Sequence, residues 1–195
     1  LFCRYPAPVF KKAIRSFTVS DPSSVEQSVR KFYDEFGWVE KDGVKGEDKS
    51  FRVFQESYHS YHETVEARTL DAHAPCEGSL LIAGCGDLPD SHVDLAERFD
   101  TVTCVDISSA ALEIAKARLP ADAKMVEGSI LDLDLPEDTF DRVHCAHVIY
   151  HIDIAAHEQA VRQLLRVTRP GGRVVIIYST PRSPLRSLAG ASMKV

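Results

Sequence analysis

The sequence predicts an α/β domain, a mostly parallel sheet with helices on both faces, preceded by a helical region. Three observations predict it. Short apolar runs alternate with helical patterns from residue 79 onward, and such alternation implies right-handed crossovers between parallel strands. The first run, Leu80-Leu81-Ile82-Ala83, leads straight into Gly84-Cys85-Gly86, and glycines there let the backbone turn sharply beside a ligand. Asp106 closes the second run, 20 residues after Gly86, where an acidic side chain can accept hydrogen bonds from a ribose diol. The other reading of Asp106 is a cap for the next helix, since Asp106-Ile107-Ser108 is cap-like.

Residues 1–22 mix proline, basic and aromatic residues without a period and read as an N-terminal arm. A helix is expected from about Ser24, where Ser24-x-x-Gln27 offers a capping box. Val25, Val29, Phe32 and Phe36 fall on one face of it, and Gly37 ends it. Residues 41–50 are charged and contain glycine, hence a loop. Phe51 to Leu70 resumes an amphipathic helical pattern with Phe54, Tyr58, Tyr61 and Val65. Residues 23–75 are therefore expected to form a helical cap, and residues 76–195 the core.

Within the core, Leu80-Leu81-Ile82-Ala83 reads as a buried parallel strand. A helix is expected over 94–99. Thr101-Val102-Thr103-Cys104-Val105 is β-branched and strand-like. Ser108 should cap a helix with Ala111, Leu112, Ala115 and Leu119 on one face. Strands follow at 124–127 and 141–148, and a helix at 156–168 with Val161, Leu164, Leu165 and Thr168 in register. Pro170-Gly171-Gly172 is expected to stop that helix, leaving 173–178 as the fifth strand.

A chain of 195 residues can bury one core. Its formal charge of −6, with no basic cluster, argues against nucleic-acid binding, which needs concentrated Lys and Arg. Five scattered cysteines (Cys3, Cys76, Cys85, Cys104, Cys145) form no C-x-x-C pair and are odd in number. They suit thiols in a reducing cytoplasm. No apolar run approaches the roughly 20 residues that cross a bilayer, and Arg4, Pro6, Pro8, Lys11 and Lys12 break up any signal peptide.

The dinucleotide fingerprint calls for a third glycine at position 89, and Pro89 stands there, which counts against a nicotinamide enzyme. Four stretches together carry a different resemblance. They are residues 80–87, residues 105–119, residues 127–141 with Leu135-Pro136-Glu137-Asp138-Thr139-Phe140-Asp141, and residues 164–177 with Arg169-Pro170-Gly171-Gly172. In this order and spacing they resemble the class I S-adenosylmethionine-dependent methyltransferases, over about residues 79–180. The segment also resembles a GCGD-type subgroup to which no activity attaches. Phe32-Tyr33-Asp34-Glu35-Phe36-Gly37-Trp38 resembles part of the substrate-covering cap of such enzymes.

The resemblance implies a Rossmann-like core and S-adenosylmethionine as cofactor. It implies that Ala83, Gly84, Cys85 and Gly86 bind the cofactor, with Gly84 and Gly86 passing beneath its methionine part, and that Asp106 holds the ribose hydroxyls. Ile107 would pack on the adenine, Ser129 and Ile130 would lie at the adenine edge, and His147 would face the sulfonium. Three positions depart from the family pattern: Ile82 where an acid is common, Leu88 where a small residue is usual, and Ser129 for a frequent Asp.

His147 and His151, four apart with Asp153 nearby, could be read as metal ligands, but no third ligand is evident and no metal is expected. Either histidine could be a general base for the acceptor, since neutral imidazole suits proton removal near pH 7. In the plainer reading His147 packs under the cofactor and His151 caps the next helix. Tyr33, Trp38, Tyr58 and His62 are candidate acceptor-facing residues of the cap, Tyr33 foremost. His59 and His62 read otherwise as helix-surface residues.

The expected function is methyl transfer to a small-molecule acceptor, with no nucleic acid and no membrane span. The alternative is a non-catalytic methyltransferase-like subunit, in which the three departures mark decay. The family usually ends in a further helix and an antiparallel strand pair. Too few residues follow the fifth strand to form them. The expectation is a C-terminally incomplete core, with a homo-oligomer or a second chain completing the sheet.

Overall fold

The computed structural model describes residues 22–37, 40–41, 44–45 and 55–178. The arm before residue 22, Trp38 and the segment from residue 179 lie outside the described residues, as do the side chains of Ser24, Tyr58, His59 and His62.

Helix α1 spans Pro22–Phe32, two residues earlier than the capping pattern suggested. Proline fits the first helical turn because its φ is already helical and it has no N–H to leave unpaired. The chain then widens into a π-turn over Tyr33–Gly37. Gly37 makes this possible: a Cβ there would fall 2.5 Å from Tyr33 Cδ1. The expected loop contains a small antiparallel hairpin, β1 (Glu40–Lys41) against β2 (Val44–Lys45). Helix α2 follows at Gln55–His73.

The core sheet has five strands in the order β5-β4-β3-β6-β7. They are β3 (Ser79–Ala83), β4 (Thr101–Asp106), β5 (Lys124–Glu127), β6 (Phe140–Ala146) and β7 (Thr168–Ile177). Every neighbouring pair is parallel. The chain moves outward from β3 through β4 to β5, then returns to the other side of β3 for β6. The strand order reverses between β3 and β6, and a crevice opens there at the carboxyl ends.

Successive residues of a strand face opposite sides, so β3 feeds two cores. Leu80 and Ile82 pack with Leu95 of α3 (Asp90–Ala96) and Leu112 of α4 (Ser109–Lys116). Leu81 and Ala83 pack with Leu164 and Val167 of α5 (His157–Val167). This is the Rossmann-like architecture with helices on both faces.

Several boundaries differ from the sequence pattern. Helix α3 begins at Asp90 rather than residue 94, because Pro89 sets the entry and an acidic side chain suits the first turn. Strand β6 ends at Ala146, since His147 turns to φ 61°. Pro170-Gly171-Gly172 does not stop α5, which ends at Val167. It lies inside β7, where pairing with β6 shifts register between Phe140 and Arg142. A Cβ at Gly172 would come 2.7 Å from Thr168 Cγ2 and 3.0 Å from the Asp141 carbonyl, so the irregular strand needs a bare backbone there.

Candidate active site

The crevice is built from three loops that follow β3, β4 and β5, and from the tip of β6. After β3 the backbone turns through Gly84 (φ 70°) and Gly86 (φ 55°). Gly84 and Cys85 donate N–H bonds to the Val105 carbonyl at 2.7 and 3.1 Å, which ties the turn to β4. A Cβ on Gly84 would fall 2.2 Å from Val148 Cγ2, so the glycine also admits the segment after β6.

Asp106 stands at the end of β4 with both carboxylate oxygens engaged. Oδ2 accepts from the Gly86 N–H at 2.9 Å, and Oδ1 from the Ser108 N–H at 2.9 Å. Burial raises the Asp106 carboxyl above its ordinary value against the pull of these N–H bonds, and the nearby Asp34 charge adds to the rise. Asp106 is thus in the glycine-turn site and does not cap α4; Ser108 does, accepting from the Ala111 N–H at 3.1 Å.

Beyond β5, the Gly128 N–H bonds to the Asp106 carbonyl at 2.9 Å. A Cβ on Gly128 would meet nothing within 4 Å, so open space borders this loop. Ser129 Oγ donates to Glu26 and accepts from the Leu131 N–H at 2.9 Å. Ala83, Cys85 and Ile130 turn their side chains into the cores, and the Cys85 carbonyl accepts from the Leu88 N–H at 3.1 Å. Ile107 is half-buried beside Asp106.

At the tip of β6, the His147 N–H donates to the Ile177 carbonyl at 2.9 Å. His151 lies in a short 3-10 turn, Ile149–His151. Its Nε2 is 3.3 Å from the Tyr33 hydroxyl, and the two rings meet edge to face. Tyr150 stacks against His151 at 4.4 Å between ring centres and lies 6.2 Å from His147. Burial pushes His151 down to about 4, with a smaller contribution from His147, so its imidazole is neutral at pH 7. Asp153, not His151, caps the next turn, accepting from the Ala155 N–H at 2.8 Å. Among the described residues no three His, Cys, Asp or Glu side chains converge as metal ligands.

The N-terminal helical segment reaches these loops through residues that sequence patterns did not single out. Glu26 reaches Ser129, Asp34 reaches Ser108, and Arg30 pairs with Glu127 at 3.1 Å. Tyr33, which the sequence did single out, reaches His151. Glu26, Arg30 and Asp34 recur four apart and Tyr33 follows Arg30 by three, so the four lie towards one side of the segment.

Residues 81–176 match the family model of a methyltransferase domain. This stretch is a methyltransferase domain with the fold of the class I S-adenosylmethionine-dependent methyltransferases. The demethylmenaquinone methyltransferase of Clavibacter sepedonicus is 32% identical over 120 residues, covering 60% of this chain and 48% of that protein. The ubiquinone/menaquinone biosynthesis C-methyltransferase of Hahella chejuensis is 27% identical over 138 residues, covering 66% and 54%. The chain spans about half the length of the curated relatives it matches. Among solved structures, the DhpI–SAM–HEP complex superposes with a TM-score of 0.62 at 18% identity, over 91% of this chain and 74% of that one. The YcgJ protein of Bacillus subtilis gives 0.53 at 21% identity, over 64% and 54%. These two likenesses are of fold.

The family positions that depart from the usual pattern have structural explanations here. Ile82 and Leu88 are buried and fill the core beneath α3. Ser129 is held by Glu26 and Leu131. The relatives are methyltransferases, and the reading of a decayed, non-catalytic subunit is not favoured.

Proposed function

We propose that this protein transfers a methyl group from S-adenosylmethionine to a small-molecule acceptor. The observation that carries the reading is Asp106, fixed by Gly86 N–H at 2.9 Å at the mouth of the glycine turn. The residues fit the cofactor. A carboxylate stands ready for a ribose diol, and the open space at Gly128 leaves room at the adenine edge.

In this reading Ala83, Gly84, Cys85 and Gly86 line the cofactor, and the glycine turn passes beneath its methionine part. Asp106 binds the ribose, Ile107 packs on the adenine, Ser129 and Ile130 border its edge, and His147 faces the sulfonium. When bound, the cofactor supplies a methyl group already activated on sulfur. The chain's contribution is then positioning and exclusion of water, which can account for most of the acceleration. Tyr33 and His151 hold the acceptor side. A neutral imidazole pushed down to about 4 does not store a proton at pH 7. His151 therefore acts with the Tyr33 hydroxyl to orient the acceptor and to take its proton only as the methyl group moves.

Tyr33, His147, Tyr150 and His151 form an aromatic rim that suits a flat or lipid-like acceptor. Two relatives carry quinone-pathway names, and a structural neighbour is a geranyl diphosphate methyltransferase. We place the functional boundary between a cap at residues 23–75 and a cofactor core at 76–195. The acidic balance favours a small acceptor over nucleic acid. Among the described residues no helix is long and apolar enough to cross a membrane, and the scattered cysteines support a cytoplasmic site of action. Strand β7 is paired on one side only among the described residues. A second copy would cover that edge, and light scattering reads the resulting mass.

Calorimetric titration with S-adenosylhomocysteine tests the central reading. Wild type should bind saturably, and Asp106→Ala should lose binding while keeping its melting transition. A folded wild type that does not bind would overturn it.

A further inference from the structure

One of the contacts between cap and core brings two carboxylates to the same serine. The Ser108 hydroxyl donates to Asp34 Oδ1, and its N–H donates to Asp106 Oδ1 at 2.9 Å. Asp34 comes from the cap and Asp106 from β4, and the Asp34 charge opposes ionisation of Asp106. Among the described residues, neither carboxylate belongs to an ion pair. Arg30, one turn before Asp34 on the same segment, is committed to Glu127. Across the crevice His151 is neutral at pH 7. The closed cap therefore brings unbalanced negative charge to the cofactor rim, and a cation bound in the crevice would offset the repulsion.

The proposed reaction changes that cation. The carbon–sulfur bond to the methyl group breaks and its electron pair stays on sulfur, which becomes a neutral thioether. The acceptor's electron pair forms the new bond to the methyl carbon, and the acceptor's proton leaves to base. The cofactor thus loses one positive charge in each turnover.

We propose that Asp34 is a specificity-determining residue that makes the closed cap favour the cationic cofactor over its neutral product. This rests on the methyltransferase reading above. The cap then holds S-adenosylmethionine and loosens once the methyl group has gone, which favours product exchange. Asp34 acts through its charge, since among the described residues it accepts from the Ser108 hydroxyl and not from a backbone group of the core.

The test is calorimetric titration of wild type, Asp34→Asn and Asp34→Glu with S-adenosylmethionine and, separately, S-adenosylhomocysteine. Asn keeps the shape and removes the charge, and the exposed position leaves folding intact, which a thermal melt checks. The expected result is a fall in the wild-type preference for S-adenosylmethionine of about three- to tenfold in Asp34→Asn, from loss of one charge beside Ser108 and Asp106. Asp34→Glu should keep most of the preference, and raising the salt concentration should shrink it in wild type. If Asp34→Asn weakens both ligands equally, or neither, Asp34 is a structural contact and the proposal is overturned. If folded wild type binds neither ligand, the methyltransferase reading falls, and the inference falls with it.

Discussion

His73 Nε2 lies 3.1 Å from His144 Nδ1, joining the last turn of α2 to the middle of β6. The chain of rings continues, because His144 Nε2 is 3.2 Å from His92 Nε2 on α3. Both nitrogens of His144 are used on opposite sides, so the three rings form a hydrogen-bonded row and not a metal cage. Neutral imidazoles satisfy each of these bonds with one N–H. Burial pushes His73 down to about 4, with the Arg142 and Arg173 charges adding to the fall. His144 is held well below its ordinary value by burial, and then by the neighbouring His92, His73 and His147.

The expected consequence is acid sensitivity with a defined direction. Unfolded histidine titrates near 6.5, so the unfolded chain binds more protons than the folded one between about pH 6.5 and 4. Stability from these rings is complete above pH 6.5 and is lost as pH falls towards 4. His73 alone would contribute up to roughly 3 kcal/mol. Urea midpoints measured from pH 8 to 4 should decline through that window. A flat profile down to pH 5 would mean the row tolerates charge.

A second prediction concerns Gly84 and Val148. Alanine at Gly84 would combine a left-handed backbone, costing about 1–2 kcal/mol, with a clash against Val148 Cγ2. Gly84→Ala is expected to lower stability by about 2–4 kcal/mol and to weaken S-adenosylhomocysteine binding. Val148→Ala in the same chain should recover part of the loss. Denaturant unfolding of the four variants in the cycle measures the coupling, and strict additivity would refute it.

The glycine turn, Asp106 and the strand alternation were legible in sequence because their signals are local. Glycine and an acid at strand ends need no knowledge of distant residues. The cap contacts were not legible, since Asp34 and Ser108 stand 74 residues apart and Glu26 and Ser129 stand 103 apart. The histidine row has no period for the same reason, with separations of 71 and 52. Pro170-Gly171-Gly172 misled in another way. Proline and glycine punctuate loops, yet here they serve the irregular start of a strand that passes close to Asp141. Tyr33 could be picked out as a residue, but His151 as its partner could not.

Asp141, in the Phe140-Asp141 pair of the family motif, anchors the amino ends of the sheet. Its carboxylate accepts from the Ser79 N–H and hydroxyl at 2.8 Å each and pairs with Arg169. Burial would raise this carboxyl, but those bonds outweigh it and hold it below the usual range. Asp141→Ala should cost about 1–3 kcal/mol, because the part-buried Ser79 N–H loses its partner. Binding of S-adenosylhomocysteine at the opposite end of the strands should change little. Urea unfolding and calorimetry together check this, and a loss of affinity without a loss of stability would contradict it.

The last prediction concerns how firmly the cap is held. Arg30 and Glu127 are about half exposed, with side chains 45% and 49% accessible. A pair of that kind contributes about 0.2–1 kcal/mol, screened by salt. Arg30→Glu replaces attraction by repulsion and should raise hydrogen exchange across residues 25–37 by about two- to tenfold, while β3 and β6 stay protected. The charge-swapped pair Arg30→Glu with Glu127→Arg should restore protection, because only the order of the charges has changed. Exchange that is unaltered by Arg30→Glu would mean that Tyr33, Glu26 and Asp34 hold the cap without it. Exchange that rises in both variants would point to a role for the Arg30 side chain beyond its charge.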